Sequence, residues 1–193
     1  MCCIMFVVDI SENNGEIDWD AMWRAGVEGV IVRVGYGVDG TEDSKFRENA
    51  SAALEHGMKV GGYWYSYALD EEGARKEADA CYEIIRQWGG MMELPVWFDM
   101  EDADGYKVRH DFEFTKENIT NICRAFIEQV SLDCGVYASY DWICKYIDWE
   151  DLGCAIWNAE WGEMDDFFGY GWQFTDSYNI GGKEFDGSIF RVW

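Results

Sequence analysis

Short apolar runs alternate with amphipathic stretches along the first 150 residues of the chain. Residues 5–10 (MFVVDI) predict a strand, and 19–25 a short helix with Asp18 as its cap. The β-branched run 29–36 (GVIVRVGY) predicts a second strand, followed by a helix over 45–56 that stops at Gly57. Residues 59–66 read as a strand, and 71–88 as a long helix, acidic early, with Arg86 late and Gly89-Gly90 at its end. A strand over 94–101, a helix over 115–130 capped by Thr115, a strand over 134–138 and a short helix over 140–146 complete five βα units. That alternation calls for parallel strands joined by helical crossovers. Beyond residue 150 the pattern changes: strands over 155–160, 170–174 and 185–190 follow one another with no helix between them. Residues 175–182 are polar and Gly-rich, which suits a reversal, so the last strand should run antiparallel to its predecessor. The expected fold is α/β, an incomplete TIM-like barrel of five βα units followed by three strands, built as one domain over residues 1–193.

Within 94–101 the chain reads Leu-Pro-Val-Trp-Phe-Asp-Met-Glu. Strand side chains alternate faces, so Trp97, Asp99 and Glu101 share one side while Val96, Phe98 and Met100 take the other. Two carboxylates on one face at the end of a buried strand cost hydration energy unless partnered. Such pairs serve acid/base chemistry, because crowding and burial separate their protonation states, and two such carboxylates are the minimum equipment for cutting a glycosidic bond. The plain alternative is a capped strand end with two solvated acids. In the expected barrel, however, Asp9, Asp99, Glu101 and Asp186 converge at the C-terminal end of the strands, the end that carries active sites in this architecture. Four carboxylates could also hold Mg²⁺ or Ca²⁺. Their neighbours are aromatic rather than further acids: Tyr36, Tyr63, Tyr65, Tyr137, Trp157 and Trp161 all fall near predicted strand ends. For any one of these rings core packing suffices; for the set, a saccharide cleft is the better reading.

Composition narrows the function classes. The 193 residues carry 38 acidic against 15 basic side chains, a net charge of −23, which excludes binding through a phosphate backbone. Seven cysteines, at 2, 3, 81, 123, 134, 144 and 154, include no CxxC pair, and the only histidines are His56 and His110. No zinc site or cofactor is therefore expected, and the thiols read as reduced, small buried hydrophobes. The opening residues lack a basic region and carry only a short apolar run, which reads as a first strand rather than a signal peptide, and no stretch approaches membrane-spanning length. Synthesis in a cytoplasm without an export signal follows as an expectation, with no membrane insertion. Nothing in the sequence fixes an oligomeric state.

Several motifs, in order, resemble family 25 of the glycoside hydrolases, the lysozymes (N-acetylmuramidases) of phages, bacteria and some fungi. They are residues 8–19 (VDISENNGEIDW), 32–37 (VRVGYG), 60–65 (VGGYWY), 94–101 (LPVWFDME), Gly135-Val136-Tyr137, Ile156-Trp157-Asn158-Ala159, Trp172-Gln173-Phe174 and Phe185-Asp186. The resemblance implies hydrolysis of the β-1,4 bond between N-acetylmuramic acid and N-acetylglucosamine in bacterial peptidoglycan, with action on the cell wall after release. Carried over by position, Glu101 is the general acid/base, Asp99 its partner carboxylate, and Asp9 and Asp186 supporting acids. Tyr36, Tyr63, Tyr65, Tyr137, Trp157, Trp161 and Gln173 are expected to bind substrate. The chain departs from the family in carrying Trp161 where a Tyr is common, and Gly187-Ser188 after Asp186 where larger or amide residues are frequent. A silent glycan-binding or virion-structural module and a chitinase-like hydrolase are the alternatives on the same barrel.

Overall fold

The computed structural model describes residues 3–192 of the chain. Its strands are β1 (Cys3–Ile10), β2 (Gly29–Tyr36), β3 (Thr41–Glu42), β4 (Lys59–Tyr65), β5 (Val96–Asp99), β6 (Cys134–Ser139), β7 (Ala155–Ala159), β8 (Gly171–Ile180) and β9 (Lys183–Val192). The helices are α1 (Trp19–Arg24), α2 (Phe46–Glu55), α3 (Glu71–Trp88), α4 (Tyr106–Arg109), α5 (Lys116–Gln129), α6 (Tyr140–Tyr146) and α7 (Trp149–Leu152). Polar side chains start the helices where the sequence places them: Asp18, Asp70 and Thr115 each accept from a backbone N–H three residues on. Gly89, left-handed at φ 71°, closes α3.

Strands β1, β2, β4, β5, β6, β7 and β8 run parallel in that spatial order. β9 then pairs antiparallel with both β8 and β1, which closes eight strands into a barrel, and β3 is a short outrigger on β2. The expected five βα units, three trailing strands and antiparallel last strand are all present. Residues 175–180, expected in the reversal, instead continue β8, and only Gly181-Gly182 make the turn. Register shifts at 173–175 and 175–178 let this polar stretch keep its pairing with β9 while the hairpin twists away from the barrel.

Alternation along the strands sorts the side chains into two cores. Outward residues such as Val8, Val32, Val60, Phe98 and Val136 pack against the helices. Inward residues Met5, Val7, Ile31, Leu94, Trp97, Trp157 and Phe190 fill the lower barrel. Trp97, Trp157 and Phe190 meet edge-on with ring centroids 5.4–5.6 Å apart, an arrangement worth about 0.5–1.5 kcal/mol per pair beyond area burial. Glycines make the room: a Cβ at Gly135 would sit 2.6 Å from the Trp97 ring, and one at Gly171 2.7 Å from Trp157. The aromatic plug closes the bottom of the barrel and leaves the top as a polar basin.

Among the described cysteines, Cys81 and Cys123 are buried, Cys134 and Cys154 half-buried and Cys144 exposed, all as free thiols. Cys2 and the side chain of Cys3 lie outside the described residues. Among the described residues no helix is long and apolar enough to cross a membrane.

Candidate active site

Asp9 ends β1 facing inward, and its partner across the antiparallel pairing with β9 is Asp186. Asp99 ends β5 with Tyr65 of β4 on one side and Tyr137 of β6 on the other, all in register and all pointing into the barrel. Glu101 lies past the end of β5, because the ladder stops at Asp99 rather than continuing to 101 as the apolar run suggests. It still opens onto the same pocket. That pocket, of about 200 Å³, is lined by Asp9, Asp99, Glu101 and Asp186 together with Asn13, Arg33, Tyr63, Tyr65, Tyr137 and Trp157. The predicted convergence of four acids is thus present.

Electrostatics divides the four into two couples. Burial, then the charge of Asp186, its partner across the strands, holds the Asp9 carboxyl well above its ordinary value. Asp186 is raised as well, chiefly by burial. In the second couple burial, then the charge of Glu101, pushes Asp99 well up. Glu101 is raised by burial against the opposing effects of Asp99 and Lys107, with Asp186 and Asp104 adding to the rise. Ionisation of one carboxyl of a couple disfavours ionisation of the other, so each couple titrates as a unit. Burial also raises the phenols of Tyr63, Tyr65 and Tyr137, which leaves them neutral donors. One Asp99 oxygen, Oδ1, is buried without a hydrogen-bond partner.

The other sequence-predicted residues divide by position. Tyr63, Tyr65, Tyr137 and Trp157 line the pocket, with Trp157 only 2 % exposed and forming its floor. Its indole N–H donates to Ser188 Oγ at 3.1 Å, which gives the small residues after Asp186 a packing role in the wall. Tyr36 lines an adjoining hollow of about 500 Å³ instead, with Glu12, Tyr67, Ala103 and Asp104, while Asn13, Arg33 and Tyr65 border both. Strict alternation would turn Tyr36 toward the helices. A bulge between Arg33 and Gly35 returns it to the inner side opposite Tyr65, and only glycine fits there, since a Cβ on Gly35 would lie 2.3 Å from the Thr41 carbonyl oxygen.

Gln173 differs from its expected role as a substrate contact. It is buried beneath the pocket, where its Nε2 donates to Asp9 at 3.1 Å. Its Oε1 accepts from the Tyr137 hydroxyl at 3.0 Å and from the indole N–H of Trp161 at 3.1 Å. Inward alternation put Gln173 in the barrel, but three complementary polar groups pull its amide into the wall. Trp161 is 63 % exposed at the rim, tethered only through that bond.

Sequence reasoning did not identify Arg33, Asn13, Lys107 or Glu77. Arg33 borders both hollows, with Nε donating to Asp43 at 2.7 Å and Nη2 to Glu12 at 3.0 Å. The signal for it was its inward parity with Ile31 on a strand otherwise apolar. Lys107 and Glu77 are fully buried behind the acids; nothing in the polar segment around Lys107 distinguishes it from a solvated lysine.

Comparison with known proteins places this geometry. The family model described as Glycosyl hydrolases family 25 matches residues 8–183. The autolytic lysozyme of Clostridium acetobutylicum is 25% identical over 181 residues, covering 91% of this chain and 52% of that protein. The modular autolysin LytC of Streptococcus pneumoniae, solved in complex with a synthetic peptidoglycan ligand, superposes with a TM-score of 0.85 at 25% identity, over 97% of this chain and 46% of that one. The chain thus spans about half the length of these two relatives. A muramidase from Trichobolus zukalii shares the fold at a TM-score of 0.76 and 17% identity, over 98% of this chain and 94% of its own.

Proposed function

The chain belongs to family 25 of the glycosyl hydrolases, and from that premise we propose that it hydrolyses the β-1,4 bond between N-acetylmuramic acid and N-acetylglucosamine in bacterial peptidoglycan, with net retention. The observation that carries the reading is the Asp99–Glu101 pair, two carboxyls lining one pocket walled by phenols. Glu101, the more open of the two, protonates the leaving oxygen. Double displacement uses carboxyls about 5–5.5 Å apart on either side of the bond. An N-acetyl group beside the anomeric carbon offers a second route, in which the substrate's own acetamido oxygen attacks that carbon. Asp99, whose carboxyl lines the pocket, then accepts from the acetamido N–H and balances the charge of the cyclic intermediate. The glycosidic C–O bond breaks as the Glu101 proton moves to the departing sugar. Glu101, now ionised, takes a proton from water, which opens the intermediate from the face the leaving group vacated. Two inversions give retention.

The charge of Asp186 raises Glu101 and so supports its protonated form, and Asp186 and Asp9 do so without touching the bond that breaks. Tyr63 and Tyr65 donate to sugar oxygens, Tyr137, whose proton is held by Gln173, lends its ring to the wall, and the exposed ring of Trp161 and the Tyr36 hollow offer stacking faces to flanking residues of the glycan. The chain acts on the wall after release from the cell that makes it. Turbidity loss on purified walls, compared with release from chitin oligomers, tests the substrate, and a preference for chitin would reject the muramidase reading. Proton NMR early in the reaction tests the stereochemistry: the β-anomer is expected first, and an α-anomer would overturn the mechanism.

A further inference from the structure

The ladder of β5 ends at Asp99, so the backbone of Glu101 has no neighbouring strand to hold it. The peptides before it are pinned from both sides. Ser66 N donates to the Asp99 carbonyl at 3.2 Å, and Met100 N to the Tyr137 carbonyl at 2.9 Å. Beyond them the partner of the Glu101 carbonyl is a side chain: Lys107 Nζ donates to it at 3.0 Å and to the Ser66 carbonyl at 2.5 Å. Lys107 is fully buried. It reaches this place from α4, whose first turn is capped by Asp102, which accepts from Lys107 N at 2.7 Å and Val108 N at 3.1 Å.

An ammonium is expensive to bury unless its protons and charge are met. The groups facing Lys107 are Glu77 from α3, Asp102 from its own loop, Asp99 from β5 and Cys123 from α5. Glu77, also fully buried, closes the arrangement by accepting from Ser66 Oγ and Tyr67 N, both at 2.8 Å. One buried cation therefore ties together the ends of β4 and β5, and one buried acid fixes the strand end it binds.

We propose that Lys107, set in place with Glu77, is a positioning residue for the reaction: it fixes the Glu101 peptide beyond the end of its strand and so keeps the Glu101 carboxyl in the pocket it shares with Asp99. This inference rests on the reading of Asp99 and Glu101 as the reacting couple. The charge of Lys107 has a second effect. It opposes burial at both Asp99 and Glu101. The other groups facing that couple are Asp9, Asp186, Asp104, Tyr65 and Tyr137. All are acids or phenols, and Arg33, the cation lining the pocket, is engaged by Asp43 and Glu12, so removing Lys107 takes away the cation that opposes burial at the couple.

The test compares Lys107→Met, the double variant Lys107→Met/Glu77→Gln and Glu101→Gln with the wild-type protein. Rates are taken on a soluble peptidoglycan oligosaccharide across pH, with the melting temperature of each protein. Misplacing a catalytic group by about 1 Å can cost up to about a hundredfold, so kcat is expected to fall at least about tenfold with KM within about twofold. Both limbs of the pH profile should move to higher pH. Lys107→Met leaves Glu77 buried without its cation and should melt early. The double variant removes that unpaired acid and should recover the melting temperature while kcat and the pH limbs stay displaced. It also supplies the kinetic result if Lys107→Met fails to fold. Wild-type kcat and pH limbs in the folded double variant, beside an inactive Glu101→Gln, would overturn the positioning role alone. Equal activity of wild type and Glu101→Gln would instead reject the reacting couple, and the inference with it.

Discussion

Replacing Gln173 with methionine keeps the volume of a side chain that is 2 % exposed and removes its three hydrogen bonds. The Trp161 indole, at the exposed rim, regains a partner from water. The Tyr137 hydroxyl and the Asp9 carboxyl, half-buried in the pocket wall, are met by water only in part. Each orphaned buried group costs about 1–3 kcal/mol, so a loss of about 3 kcal/mol is expected for the two together. For a protein of this size, that corresponds to a fall of about 6–12 °C in melting temperature. Since the Gln173 bond is what holds Asp9 down against burial and Asp186, its loss raises Asp9 further. Differential scanning calorimetry gives the first quantity, and hydrolysis of a soluble muramyl oligosaccharide the second, with kcat falling and KM nearly unchanged. A melting temperature within about 1 °C of wild type, together with a raised KM alone, would refute the reasoning and return Gln173 to the role of a substrate contact.

Three further outcomes follow from the same geometry. The charge of Asp186 raises Glu101, so Asp186→Asn should lower the pH at which the protonated acid is lost, moving the alkaline limb of the rate profile down; an unmoved limb would remove Asp186 from the site. Burial pushes Glu77 up from 4.5 to about 7, so the folded state holds its proton more tightly than the unfolded chain does. Its contribution to stability is therefore full below 4.5 and lost as pH rises to about 7; Glu77→Gln should flatten that part of the melting-temperature profile, and an unchanged slope would contradict the assignment. With a net charge of −23, Arg33 engaged by two acids and Lys107 buried, anionic walls should repel the protein at very low ionic strength. Hydrolysis of whole walls should rise toward about 0.1 M salt, where the Debye length is about 10 Å, while a neutral oligosaccharide shows little change; a steady fall on walls would reveal a cationic docking patch.

The strand periodicity of 94–101 was enough to place Trp97 and Asp99 inside the barrel, and the antiparallel last strand was enough to bring Asp186 opposite Asp9. Both inferences need only the twofold alternation of a strand and the direction of its neighbour. What stayed hidden depends on breaks in that regularity. Tyr36 reaches the cleft side through a bulge that parity alone would deny. Glu101 leaves the strand before its own position and is held by Lys107, six residues further on in a segment that reads as a solvated loop. Gln173 was legible as inward-facing, but its turn into the wall is set by Asp9, Tyr137 and Trp161, three residues distant in sequence that only the closed barrel brings together. The hairpin of β8 and β9 extends through residues whose composition reads as a turn, because pairing with β9 satisfies their backbone groups at the surface.

The central claim is that the Asp99–Glu101 couple cleaves the glycan strand of peptidoglycan on the reducing side of N-acetylmuramic acid. The most direct measurement digests purified peptidoglycan with the wild-type protein and with Glu101→Gln, reduces the new ends with borohydride, and identifies the reduced sugar by mass spectrometry. The account predicts muramitol derivatives from the wild type and a loss of several orders of magnitude in their rate of formation with Glu101→Gln, the variant remaining folded. Reduced N-acetylglucosamine ends, free peptide with intact glycan, or an undiminished yield from Glu101→Gln would contradict it.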